Sequence, residues 1–209
     1  MNVESVDYFS NHRHKLRFPW SLYHRPIVRE LDSALSQTRG ARVLNIGSGP
    51  FFERAELACA GKRFTLCDID TRAVELARTL HGDTLESADV IAPRSPLPYA
   101  AGAFDAVVSM DVIEHVQDPL PWLCEAVRVL SAGGLFFVTT PNYASPSLRM
   151  IENTVLEAVA RSQGFSRRRL HPTKLDALKL NNLLARAGVK RAAIKTISHG
   201  WVLAAYGWK

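Results

Sequence analysis

The chain has 209 residues, 47% of them hydrophobic, which suits one domain with one sizeable core and leaves little room for two. No apolar run approaches the ~20 residues of a membrane helix, and residues 1–11 mix charges without the apolar stretch of a signal peptide, so the expectation is a cytoplasmic protein with no membrane insertion. The net charge of +6 is unevenly spread: lysine plus arginine minus acids gives +2 for residues 1–40, −5 for 41–140 and +9 for 141–209. The basic last part, with Arg167, Arg168, Arg169, His171 and Lys174, suits an anionic substrate, and equally a solvated helix face followed by a basic loop. Cys59, Cys67 and Cys124 sit in apolar segments without metal-ligand spacing and read as buried thiols.

In chain order, Pro26 opens an amphipathic helix through Ile27, Val28, Leu31 and Leu35. Residues 40–46 read as a strand and 51–60 as a helix closed by Gly61. A strand at 63–67, a helix at 71–80 stopped by Gly82 and a short strand at 84–87 repeat the pattern. Residues 104–109 have the continuous apolar character of a strand covered on both faces. Asp118-Pro119 begins a helix whose buried face is Leu120, Leu123, Val127 and Leu130; Gly133 and Gly134 end it, and 135–140 is the next strand. Apolar residues at helical spacing run from Leu148 to Val159, with Gly164 as a stop. A helix over 174–187 carries a capping box of Thr173 and Asp176, turns Leu175, Leu178, Leu183 and Leu184 inward and ends at Gly188; strands at 192–197 and 201–206 finish the chain. This alternation implies an α/β fold, a parallel sheet with helices on both faces.

In such a sheet ligands bind beyond the carboxyl ends of the strands, where strand order reverses. Three loops carry suitable groups there. Gly47 and Gly49 allow close approach to the backbone, and the helix start that follows favours an anionic group; the alternative is a tight turn only. Asp68, about twenty residues on, stands where such folds place an acid on ribose hydroxyls, or it caps the helix at Thr71, a role open equally to Asp70. Asp89, in Ser87-Ala88-Asp89-Val90, can accept from an exocyclic amine such as that of adenine; taken alone it is an ordinary turn aspartate.

The ordered set Val43 to Pro50, Leu66-Cys67-Asp68-Ile69-Asp70, Ala88-Asp89-Val90, Phe104-Asp105-Ala106-Val107-Val108 and Leu130-Ser131-Ala132-Gly133-Gly134 resembles the motifs of class I S-adenosylmethionine-dependent methyltransferases, over about residues 41–142. Asp111-Val112-Ile113-Glu114-His115-Val116-Gln117-Asp118-Pro119 and Thr139-Thr140-Pro141-Asn142 resemble the type 11 group, which includes the ubiquinone-biosynthesis O-methyltransferases. The resemblance implies a Rossmann-like, doubly wound, mostly parallel seven-stranded sheet with the last strand antiparallel. It also implies one methyltransferase domain over 1–209: a helical cap (1–40), a cofactor-binding core (41–142), a helical substrate-side insertion (143–172) and a closing helix with strands (173–209).

By the same resemblance, the stretch Asn45, Gly47, Ser48 and Gly49 meets the methionine part of S-adenosylmethionine and Asp68 its ribose. Ile69 packs on the adenine, Asp89 accepts from its amine, and Val90 offers a backbone amide to the ring. Met110 and Asp111 border the methionyl end. Asn45 replaces the family's usual acid, which implies a weaker or water-mediated contact to the cofactor's ammonium group. Phe51 replaces a third glycine, against a dinucleotide fingerprint and hence against a nicotinamide-dependent oxidoreductase.

Transfer to a hydroxyl needs a base, and His115, just past a strand end, is the first candidate, with His171 the second. His115 can equally be a helix-start residue bonded to backbone. Asp111, Glu114 and His115 have a spacing compatible with a divalent cation, but a metal-free site is the preferred expectation. Acceptor contacts are expected from Tyr8, Arg17, Trp20, Tyr23 and His24 and from residues 143–171, whose aromatic and basic character suits a small, anionic acceptor such as a phosphorylated, carboxylated or glycan-lipid molecule. The competing expectations are a cofactor-binding protein that has lost transfer and a methyltransferase acting on a macromolecule. Nucleic acid is disfavoured because no RNA-binding module is recognisable, and the oligomeric state is not legible.

Overall fold

Every side chain of strand β1 (Arg42–Ile46) after Arg42 is buried, because the strand lies inside the sheet with helices packed over both faces. The structure is a computed structural model that describes residues 15–93, 96–154, 157 and 171–209. β1 pairs in parallel with β2 (Arg63–Asp68) and with β4 (Phe104–Met110); β2 pairs with β3 (Leu85–Val90), and β4 with β5 (Leu130–Pro141), also in parallel. β7 (Val202–Trp208) lies antiparallel between β5 and β6 (Lys190–Ile197), completing a seven-stranded sheet in the order β3-β2-β1-β4-β5-β7-β6. Doubly wound, mostly parallel, with the last strand antiparallel, this is the expected architecture. Strand order reverses between β1 and β4, so the exits of those two strands diverge and leave a crevice.

Alternation along each strand divides the core in two. Leu44, Ile46, Val107 and Phe136 meet Leu123 and Val127 of α3 (Pro119–Val129) and Leu180 and Leu184 of α5 (Ala177–Arg186). On the other face Val43, Val108 and Phe137 meet Val28, Leu31 and Leu35 of α1 (Ser21–Ser36) and Val74 and Ala77 of α2 (Thr71–His81). Each fully buried large apolar side chain contributes about 1.5–3 kcal/mol, so the two layers hold the strand ends rigidly in place.

Several local expectations change. Pro26 lies inside α1, which starts at Ser21; the ring removes the donor to Leu22, whose residue sits in the exposed first turn. The helix expected over 51–60 is a 3-10 turn, Phe52–Glu56, because Phe51 takes a left-handed φ of 54° to bury its ring against Phe64, centroids 5.2 Å apart. β3 runs on to Val90, so Asp89 and Val90 are strand residues and not turn residues. Asp118 makes no side-chain cap, leaving Pro119 as the start signal of α3, and α3 ends at Val129, before the glycines.

The Thr173 capping box does not form. Asp176 caps α5, its Oδ1 accepting from the Lys179 amide at 2.8 Å, while the Thr173 hydroxyl donates to the Val116 carbonyl at 2.6 Å; Leu178 points outward. Ser145 caps α4 (Pro146–Asn153), whereas the continuation expected toward Val159 and the Gly164 stop lie outside the described residues, as does Tyr8. All three cysteines are free, but only Cys67 is buried; Cys59 is half-buried and Cys124 exposed. Among the described residues, no helix is long and apolar enough to cross a membrane.

Candidate active site

The turn after β1 is built by two glycines with different tasks. Gly47 has φ +67°, and a Cβ there would stand 2.5 Å from Val112 Cγ2, so its bare backbone lets the β4 exit pack against it. Gly49 has φ +54° and open space where its Cβ would be. The turn's amides are taken internally: Gly47 N and Ser48 N donate to the Cys67 carbonyl at 2.8 and 3.2 Å, and Gly49 N donates to Asp68 Oδ2 at 2.8 Å. With those donors used and only a 3-10 turn following, the turn does not offer the helix-terminal donors expected above.

Asp68 is not the helix cap. Asp70 fills that role, accepting from Arg72 N at 2.9 Å, while Asp68 Oδ1 accepts the Asp70 amide at 3.0 Å and its other oxygen holds Gly49. Burial pushes the Asp68 carboxyl above its ordinary pKa, and the donated amides oppose that rise. Asn45, on the β1 face it shares with Val43, is 0% exposed, and neither its Nδ2 nor its Oδ1 has a partner among the described residues.

At the neighbouring strand ends Ile69 and Val90 are 54% and 46% exposed, apolar surface left uncovered where β2 and β3 stop. Asp89 Oδ2 accepts from Ser87 Oγ and from Tyr99 OH, each at 2.9 Å. Burial, then the neighbouring Cys67 and Asp89, push the Tyr99 phenol above its ordinary range, so it stays a donor; burial lifts the Cys67 thiol to about 12. Tyr99 carries no motif and only the packing shows it as the partner of Asp89.

On β4, Ser109 Oγ donates to the Ile46 carbonyl at 2.8 Å, tying the ends of β1 and β4 together. Met110 packs against the core, and Asp111 takes a left-handed φ of 53°, held by its amide to the Thr139 carbonyl at 3.2 Å and by Thr139 Oγ1 donating to its Oδ1 at 2.9 Å. Thr139 and Ser109 are missing from the sequence expectation because each looks like an ordinary strand residue.

His115 ends a 3-10 turn, Ile113–His115; its amide donates to Val112 O at 2.9 Å and its residue is exposed. His171, 7% exposed, brings its ring to 4.7 Å from that of His115 at 81°, and its Nδ1 is hydrogen-bonded to the Tyr143 hydroxyl. The two histidines named separately from the sequence are thus brought together. The acid-and-histidine cluster is also different from the expected set: ligand atoms of Glu114, His115 and His171 lie within 4.8 Å of one another, while Asp111 is engaged by Thr139. The buried Glu114 carboxylate accepts from Thr140 Oγ1 at 3.3 Å.

Of the amino-terminal residues, Tyr23 accepts through its carbonyl from Ser198 Oγ at 2.7 Å, and His24 is held neutral, its pKa lowered to about 3 by burial and then by Lys15. Lys15 forms an ion pair with the buried Glu53 of the turn after the glycines, which anchors this segment beside the crevice.

A sheet in this order, with a glycine turn after β1 and carboxylates at the ends of β2 and β3, defines a Rossmann-like, doubly wound fold. Residues 44–138 match the family model described as a methyltransferase domain, a similarity over slightly less than half of the chain. A ubiquinone biosynthesis O-methyltransferase of Xanthomonas oryzae pv. oryzae is 37% identical over 122 residues, covering 56% of this chain and 50% of that protein. The chain spans about half the length of the curated relatives it matches. Among solved structures, a SAM-dependent methyltransferase from Archaeoglobus fulgidus has a TM-score of 0.70 at 16% identity, covering 97% of this chain and 100% of its own. The [4+2]-cyclase SpnF has a TM-score of 0.69 at 16% identity over 92% and 83%, so the same fold occurs in a protein named for another reaction.

Proposed function

We propose that this chain binds S-adenosylmethionine across the carboxyl ends of β1 to β4 and methylates a hydroxyl oxygen on a small acceptor. The observation that carries the reading is the pairing of His115 with His171, rings 4.7 Å apart, just past the strand that presents Met110 and Asp111. An oxygen acceptor is favoured by the O-methyltransferase named above as a relative. The residues fit the cofactor: Asn45 has a buried amide without a partner, Gly49 has open space above it, and Ile69 and Val90 expose apolar surface side by side.

A bound cofactor supplies a methyl group already made electrophilic by its sulfonium, so the protein's tasks are to bind, orient and move one proton. Each Asp68 oxygen accepts one amide and retains capacity for a ribose hydroxyl. Asp89, its Oδ2 engaged by Ser87 and Tyr99, serves the adenine amine through Oδ1; Ile69 packs on the ring and the Val90 amide meets its edge. Asn45, the Gly47-Ser48-Gly49 backbone, Met110 and Asp111 surround the amino-acid end. His115 takes the proton of the acceptor hydroxyl, and His171, positioned by Tyr143, supports it from behind.

Calorimetry with S-adenosylhomocysteine and a labelled-methyl assay against pooled metabolites test this. Binding followed by transfer is expected, and the absence of any heat would sink the reading. A cofactor-binding protein without transfer is the second reading, favoured by Asn45 standing where the family carries an acid. Turnover that Asp68→Ala abolishes would exclude it.

A further inference from the structure

A cavity of about 290 Å³ lies between the turn at Tyr143, helix α4 and residues 171–179, and none of the residues at the ends of β1 to β3 lines it. Its walls carry three cations, Arg149, Lys174 and Lys179, and two acids, Glu152 and Asp176. Asp176 is occupied: it caps α5 and stands 3.6 Å from Lys179 Nζ, so those two charges offset each other. Glu152 Oε1 lies 3.9 Å from His171 Nδ1. Arg149 and Lys174 remain. Lys174 Nζ sits 5.7 Å from the centroid of the Tyr143 ring, and among the described residues neither cation has a carboxylate partner.

Three cations against two acids leave one small concavity with an excess of positive charge, which focuses a positive potential into it. An anion offsets that excess, and a guanidinium beside an ammonium matches the oxygens of a carboxylate or phosphate, the first as a planar fork and the second as a point charge. The wall contains His171, whose ring abuts His115, so a molecule anchored here has its remainder beside the proposed base.

We propose that this cavity is the subsite for an anionic group, a carboxylate or a phosphate, on the methyl acceptor, with Arg149 and Lys174 as its ligands. The proposal deepens the methyltransferase reading and rests on it. It sets the acceptor class: a small hydroxyl compound with one anionic end, held so that the hydroxyl reaches His115.

The test is titration of the full chain, saturated with S-adenosylhomocysteine, with benzoate, inorganic phosphate and the neutral isostere benzamide. Benzoate or phosphate is expected to bind, whichever is tighter naming the anionic group, and benzamide at least tenfold more weakly than benzoate if the group is a carboxylate. Arg149 and Lys174 are both exposed, so an Arg149→Gln/Lys174→Gln variant is expected to keep its affinity for S-adenosylhomocysteine within twofold while losing at least tenfold in affinity for the anion, with Arg149→Lys restoring part of it. Binding of neither anion, or equal anion affinity in the double variant, would overturn the subsite while leaving the cofactor reading intact. Failure of S-adenosylhomocysteine itself to bind would instead remove the methyltransferase reading, and this proposal with it.

Discussion

The Gly49 amide donates to the Asp68 carboxylate at 2.8 Å, joining the turn after β1 to the end of β2. The same carboxylate takes the Asp70 amide on its other oxygen, so one half-buried acid shapes both loops that flank the crevice. Asp68→Ala leaves both amides without an acceptor. The expected result is about 1–3 kcal/mol less stability by urea denaturation and a fall of about 100-fold in S-adenosylhomocysteine affinity by calorimetry. Asp68→Asn, which keeps one carbonyl oxygen, should fall between the two.

The two glycines of the turn should fail differently. Gly47→Ala meets Val112 and a positive φ together, and roughly 2–4 kcal/mol of stability should be lost in urea. Gly49→Ala meets only the backbone cost, about 1–2 kcal/mol. Equal losses in the two variants would contradict this division of labour.

Asn45 buries two polar atoms that no group among the described residues satisfies. Replacing it with leucine, of similar volume, is expected to stabilise the ligand-free protein by about 1–3 kcal/mol while weakening S-adenosylhomocysteine binding. A destabilised Asn45→Leu protein would show that the amide has a structural role instead.

If His115 takes the acceptor proton, His115→Ala should lower turnover by about 10²–10⁴-fold. Its affinity for S-adenosylhomocysteine should not change, because His115 is proposed to face the acceptor. Labelled-methyl transfer and calorimetry on the same preparation separate the two effects.

His24 predicts an acid limb of stability. Its imidazole pKa is lowered to about 3 from 6.5, so between these values the unfolded chain binds a proton that the folded chain refuses. Its contribution is complete above pH 6.5 and is lost as the pH falls toward 3, amounting to about 2 kcal/mol lost at pH 5. His24→Gln should flatten that part of the urea-derived stability curve, and an unchanged slope would place the proton uptake elsewhere.

By itself the sequence determined the alternation of strands and helices, the continuous apolar strands and the positions of Gly47, Gly49, Asp68 and Asp89 at strand exits, because those follow from periodicity and from spacing along a short stretch of chain. Local signals with two readings were resolved only by packing. Asp68 and Asp70 compete for one helix start, and the choice depends on whether the Gly49 amide arrives from another strand. Phe51 ends a helical pattern because its ring finds Phe64 across the sheet. The tertiary structure alone decided that His171 meets His115, that Tyr99 holds Asp89, and that Arg149 and Lys174 share a cavity. Such contacts join loops far apart in the chain, and the order of strands in the sheet, which no local pattern encodes, sets which loops converge.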